Sequence, residues 1–346
     1  MDYKEVEIPN PETDINVFLG QPTDGVLDTL ARLEGDVAIL GAGGKMGPTI
    51  TSMLCQGFRQ LGKRNRVLAV SRFSDPESAD LLRGYGAEIL SCDLIDREAV
   101  QQLPEVDNIL FLAGHKFGAT SAPELTWAMN TIVPALKAEK FTRTRMVVFS
   151  TGCVYPFVPV ESGGSREDDE IGPIGDYANS CVGRERVFTF YSKRNGTPLS
   201  IYRLNYAIDL RYGVLVDIAT KVLNNEPVDV STGHVNVIWQ GDAAARAIQL
   251  LDHASSPPFI LNVTGPETIT VRDLATAFGE KFDKKVRFIG KEQPTAWLSN
   301  AAKSMDLFGP LTVSLEQMID YVAQHLQNGG KLLGKPTHFE ARSGKF

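Results

Sequence analysis

Short apolar runs recur along the chain at intervals that leave room for a helix between most of them. They are DVAIL (36–40), RVLAV (66–70), AEIL (87–90), NILFL (108–112), MVVFS (146–150) and LSIYRL (199–204). Runs this short and this continuously apolar predict strands buried on both faces. Alternating with helices, they predict an α/β fold, a doubly wound parallel sheet over 36–205. Ahead of them, Leu27, Leu30 and Leu33 share one helical face within 26–33, so residues 1–35 read as an extension carrying a short helix. Past about residue 205 the rhythm weakens. A helical stretch over 214–223 leads to the strand-like VDVS (228–231) and VNVIW (235–239), then the helical DAAARAIQLLDHA (242–254). A strand in PPFILNVTG, a threonine-capped helix in TITVRDLATAFGEKF, a strand in KVRFIG and the amphipathic SLEQMIDYVAQHLQ (314–327) follow. This part predicts a smaller α/β lobe over 206–346, with segments near 233–254 returning to the main domain and a Gly/Lys-rich tail at the end.

Composition narrows the function classes. At 346 residues, 43% hydrophobic and 22% charged, the chain has the makings of a large core. A net charge of −7 without any basic run argues against a nucleic-acid partner. No stretch is long and apolar enough for a membrane span, and the acidic start MDYKEVEIPNPETD does not read as a signal peptide. Cys55, Cys92, Cys153 and Cys181 lack CxxC spacing, and the five histidines form no HxxxH pair. The expectation is reduced thiols in a cytoplasmic protein without a metal site.

The chemistry begins in DVAILGAGGKMGPTI, where a buried strand runs into Gly41, Gly43, Gly44 and Gly47 and then into an apolar helix. Glycines there permit a sharp turn and let a pyrophosphate approach the backbone, while the helix start offers free N–H groups to the phosphates. Lys45 and Met46 belong to the same turn. G-x-G-x-x-G would need its third glycine at Met46; the pattern that fits is G-x-x-G-x-x-G through Gly41, Gly44 and Gly47. That spacing resembles the short-chain dehydrogenase/reductase superfamily, and the length resembles its extended branch of NAD(P)-dependent epimerases and dehydratases.

The second strand ends in Ser71-Arg72, where an acidic residue would suit the ribose of NAD. A guanidinium offers a fixed fork of donors to a 2′-phosphate, with Lys45 as a second cation, so NADP is favoured over NAD. The resemblance extends over about 36–327. It implies that Asp93 and Leu94 meet the adenine. It also implies that Ala113 and Gly114 let the cofactor pass and that Lys116 reaches its ribose or phosphate. Asn130 matches a structural asparagine. FSTGCVYP (149–156) is similar to the strand-five motif S-S-x-x-V-Y-G, which places Ser150 beside the cofactor and Thr151 at the hydroxyl that polarises the substrate. RLN (203–205) and Asp242 match more loosely. The family prior implies a sugar or sugar acid as substrate and a homodimer paired through helices near 123–140 and 177–194. Asn205, Tyr206, Arg211 and Tyr212 are candidate lining, with Arg211 a candidate for a phosphate or carboxylate.

DYANSCVGRE resembles the family's Y-x-x-S-K-x-x-x-E, with Tyr177, Ser180 and Glu185 in place and Cys181 where the lysine belongs. A phenol ordinarily titrates near 10, and an ammonium one helical turn away stabilises the phenolate. A thiol cannot do this. Three readings follow: another cation, Lys116 or Arg184, substitutes; Cys181 or Cys153 enters a different proton relay; or catalysis is lost, leaving an NADP(H)-binding sensor or scaffold. Inert packing is the bland reading of both cysteines.

Overall fold

The computed structural model describes residues 14–116 and 118–345, so the first thirteen residues of the extension, and Phe117 within FLAGHKFG, lie outside the described residues. The main sheet has seven strands: β1 (Val37–Leu40), β2 (Val67–Ser71), β3 (Glu88–Ser91), β4 (Asn108–Phe111), β5 (Arg145–Thr151), β6 (Leu199–Leu204) and β7 (Phe259–Val263). Their order is β7-β6-β5-β4-β1-β2-β3, and every pairing is parallel. All four residues of β1 are buried. Val37 and Ile39 enter one core with Ile50 and Met53, whereas Ala38 and Leu40 enter another with Val133 and Phe188. That two-sided burial is why the strand reads as a continuous apolar run. The chain steps outward from β1 to β3 and then crosses back to β4. A crevice therefore opens at the carboxyl ends of β1 and β4, where such sheets take ligands.

FILNV (259–263) joins the main sheet as β7, so the returning part of the chain extends beyond residue 254. Leu261 and Val263 are buried there, and Asn262 is fixed by Tyr155 Oη at 2.9 Å and by Ser165 O at 2.8 Å. Before β1, helix Asp24–Arg32 is capped by Thr23. A one-turn helix, Ile15–Leu19, precedes it and seats Phe18 edge-on against Trp239 and Tyr321.

The second core gathers helices Val214–Leu223, Val271–Phe282 and Leu315–Gln327. The tail after it crosses the lobe: Leu333 N donates to Arg211 O at 3.1 Å, and Thr337 N donates to Asp217 Oδ2 at 2.8 Å. Its far end reaches the start of helix Gly175–Asn195, where a Cβ on Gly344 would stand 2.2 Å from Ile174 O. Among the described residues no helix is long and apolar enough to cross a membrane.

Candidate active site

The glycine turn is built by exclusion. Gly41 has φ +96°, and a Cβ on it would sit 2.7 Å from Ala113 N; one on Gly47 would sit 2.0 Å from Ala42 O. The first glycine lets β1 turn against the end of β4, and the last lets helix Gly47–Gln60 start hard against the turn. Met46 is buried at its N-cap position. Gly43, Gly44 and Lys45 border a cavity of about 530 Å³, together with Pro48, Gly114 and His115. A concavity that Cβ atoms would fill, at a helix start, fits a dinucleotide pyrophosphate. Ser71 closes one side of the turn, with its Oγ 2.9 Å from the place of a Gly43 Cβ, and Arg72 is exposed at the end of β2. Asp93 accepts from Ile95 N at 3.2 Å, and the carbonyl of Leu94 is held at 2.8 Å by Lys137 Nζ, whose ammonium burial lowers to about 8.

Lys45 does not join Arg72. Its Nζ donates to Ala207 O at 3.0 Å and lies 3.9 Å over the Tyr212 ring. Ala207 follows β6, on the side of β1 opposite to β2. The expectation of a second cation at the 2′-phosphate is thereby corrected: the side chain turns toward the lobe, where an aromatic face and a carbonyl receive it. Arg211 is likewise engaged, by Asp209 at 2.7 Å and by Asn16 Oδ1 at 2.9 Å. Asn205 is engaged by Asn236 Oδ1 at 2.8 Å.

A second cavity of about 250 Å³ meets the first at Lys45, Lys116 and Tyr177 and runs between Thr151, Tyr206 and Thr337. Tyr177 enters it from the first turn of helix Gly175–Asn195, half-buried against Val154, Tyr155 and Cys181. It shares that lining with Thr151. The phenol is pushed well above its ordinary value near 10, chiefly by burial and secondarily by Cys181 and Cys153, while Arg184 and Thr151 pull it down. The Cys181 thiol is fully buried and burial pushes it up to about 11, so at neutral pH it is neither a base nor a thiolate. Cys153 is likewise raised by burial.

Arg184, one turn further along the helix than Cys181, is buried. Its guanidinium donates to Phe149 O at 2.7 Å and to Asn130 Oδ1 at 2.5 Å. Asn130 also accepts from His115 N at 3.0 Å and donates to Ser180 Oγ at 2.9 Å. A π-helical turn, Ala128–Ile132, carries this asparagine. A Cβ on Gly114 would lie 2.2 Å from Arg184 Nη2, so the glycine makes room for this arginine. Arg184 Nε is buried without a hydrogen-bond partner. Lys116 borders both cavities, its ammonium lowered by burial and raised in smaller measure by Cys153, Asp217 and Cys181.

Ser150 borders the cavity, but its hydroxyl donates to Glu185 Oε1 at 2.5 Å. Glu185 receives two further bonds from Arg203, at 3.0 and 2.8 Å. This buried cluster pins the end of β5 to β6 and to the Tyr177 helix. The sequence reading missed Thr337, because nothing local marks a tail threonine as part of a cavity wall.

No protein-family model and no curated protein matches the chain. Solved structures do. Pal from Bacillus thuringiensis matches at 18% identity and TM-score 0.69, over 84% of this chain and 99% of that one. The UDP-glucose 4-epimerase of Thermus thermophilus, in complex with NAD, matches at 19% and 0.68 over 84% and 99%. The UDP-glucose 4-epimerase of Thermotoga maritima, with UDP-glucose, matches at 17% and 0.69 over 85% and 99%. The chain shares the fold of these solved structures.

Proposed function

We propose that the protein is an NAD(P)-dependent enzyme of the oxidoreductase, epimerase or dehydratase type, acting by hydride transfer at a hydroxyl of a sugar or sugar-derived compound. The observation that carries this reading is that Thr151 and Tyr177 line one cavity that opens onto the glycine turn. A nicotinamide dinucleotide, when bound, supplies the hydride acceptor or donor. The backbone of Gly41, Gly44, Met46 and Gly47 would hold its phosphates, Ser71 and Arg72 its adenosine ribose, and Asp93 and Leu94 its adenine. Ala113, Gly114, Lys116, Ser150 and Tyr177 would border its nicotinamide half. Thr151 polarises the substrate oxygen, and Tyr177 Oη gives or takes the proton. Arg184 stands in for the missing lysine: it is the cation that opposes the upward shift of the phenol's pKa, and its unpartnered Nε leaves one donor in reserve.

A second reading, nucleotide binding without turnover, draws on the raised pKa of Tyr177 and the neutral thiol at 181. Nicotinamide absorbance together with chromatography of the sugar products, followed over a sugar panel with wild type and Tyr177→Phe, separates the two: the binding-only reading predicts no reduced nucleotide and no converted sugar in either protein.

NADP is favoured over NAD by Arg72, although the Thermus relative is in complex with NAD. Arg72→Ala is expected to weaken NADP+ about ten- to a hundredfold, the worth of a charge-assisted hydrogen bond. NAD+ affinity should be unchanged. Equal losses for both nucleotides in a fluorescence titration would assign the position no role in the choice.

A homodimer through helices near 123–140 and 177–194 fits the exposed apolar residues there. Ile132 is 52% and Phe190 57% exposed, and Leu125 and Trp127 lie nearby in the first segment. Such side chains are unusual in open water when they gather on one face. Light scattering should find a dimer in the wild type and a monomer in Ile132→Lys/Phe190→Lys.

A further inference from the structure

Resting on that reading, we propose that the two ends of the chain form a gate at the nucleotide cleft, and that the nucleotide enters and leaves only when this gate opens. Both ends lie outside the stretch that resembles the extended family, so the resemblance gives them no role. Three observations carry the gate. The first is a shared border. Asn16 of the one-turn helix, and Leu333 and Lys335 of the tail, line the same cavity as Gly43, Gly44 and Lys45. Opposite ends of the chain therefore meet at the cavity of the glycine turn.

The second is how those ends are tied. Arg211 joins them: its Nη2 donates to Asn16 Oδ1 at 2.9 Å, and its carbonyl accepts from Leu333 N at 3.1 Å. Asp14, which caps the short helix, accepts from Tyr85 Oη at the end of helix Pro76–Tyr85. That longer helix belongs to the dinucleotide domain, whereas Arg211 belongs to the lobe. The short helix thus bridges the two, from Tyr85 to Arg211. Such a bridge keeps the cavity closed while its ties hold and frees it when they break.

The third is the unequal anchoring of the tail. Residues 331–336 are exposed throughout, with Gly329 before them and Gly334 among them at φ +71° and +63°. Beyond them the chain is fixed. Thr337 N and Oγ1 donate to Asp217 Oδ2 at 2.8 and 2.5 Å, Phe339 is buried in the lobe core, and Arg342 donates to Thr295 O and Oγ1, each at 2.6 Å. Before them, helix Leu315–Gln327 packs on the same core. An exposed span between two firm anchors, with glycines in the left-handed region to turn on, opens without unfolding the lobe.

Stopped-flow mixing of the full chain with NADPH, and separately with NADH, tests the gate by nucleotide fluorescence and requires no turnover. In the wild type the observed binding rate should level off as nucleotide rises, because opening precedes entry. Tyr85→Phe/Leu333→Pro cuts both ties, the first change removing the hydroxyl and the second the N–H. At about threefold for each lost hydrogen bond, it should raise that ceiling and the rate of release about tenfold. The equilibrium Kd should stay within about threefold, since the same ties hold the gate with and without nucleotide. Tyr85→Phe alone, which loses one oxygen, should raise both rates about threefold and carries the test if the double variant does not fold. Three results would overturn the gate: a wild-type rate that stays linear with nucleotide, a ceiling that the variants leave unchanged, or faster release with unchanged entry, the mark of a lost contact. Failure of the underlying reading has a different signature: neither nucleotide binds the wild type.

Discussion

Tyr177→Phe is expected to lower turnover about a thousandfold while leaving nucleotide affinity unchanged. The substitution removes one oxygen and keeps the ring that packs against Val154, Tyr155 and Cys181. Positioned proton transfer contributes about 10²–10⁴-fold, and Thr151 alone cannot supply it, because an ordinary hydroxyl neither donates nor accepts a proton readily at neutral pH. The direction of the phenol's shift adds a pH signature. A pKa raised above 10 keeps Tyr177 protonated across the working range, which is the form needed to give a proton to a carbonyl oxygen. Reductive turnover should therefore be level from about pH 6 to 9, whereas oxidative turnover, which needs the phenolate, should climb with pH. Arg184→Gln should steepen that climb by removing the cation that opposes the upward shift. An unchanged profile would remove Arg184 from the proton chemistry.

Glu185→Gln is expected to cost about 3–5 kcal/mol of stability, the usual loss when one member of a buried ion pair goes. Arg203 and Glu185 are 2% and 5% exposed, 2.8 Å apart. Without the carboxylate, the Arg203 guanidinium retains Tyr155 Oη at 2.6 Å and Glu167 O at 3.1 Å, neither of them charged. Ser150 loses its charged acceptor in the same step. Since Ser150 precedes Thr151, the end of β5 should loosen where the substrate hydroxyl is polarised. A urea titration should find a lower midpoint at unchanged slope. A loss below about 1 kcal/mol would mean that the pair is solvated in solution.

Much of this was legible in the sequence, for identifiable reasons. Strands β1, β2, β4, β5 and β6 announce themselves because burial on both faces forces apolar runs. Gly41 and Gly47 announce themselves because no other residue fits where a Cβ would strike backbone. The helix Ile15–Leu19 does not, because a single turn has no periodicity to read. β7 reads as part of the lobe because its letters say strand and nothing in them says which sheet. Lys45 reads by its neighbours in the chain, as part of a phosphate turn. Its partners, Ala207 and Tyr212, lie more than 160 positions away and only the fold brings them near. Arg184 stands among the sequence candidates to replace the lysine. What the sequence leaves open is how an arginine two turns beyond the tyrosine is held, and Phe149 O, Asn130 and Gly114 supply that.

The central claim is that this helix still moves a proton with cysteine in the lysine's place. The most direct test is nicotinamide absorbance together with chromatography of the sugar products, under saturating NADP+ across sugars and sugar derivatives, comparing wild type with Tyr177→Phe at matched nucleotide occupancy. The account predicts reduction of the nucleotide or conversion of the sugar with at least one of these compounds, slowed about a thousandfold by the substitution. Equal rates in the two proteins, or neither reduction nor conversion in a wild type that binds the nucleotide, would contradict it.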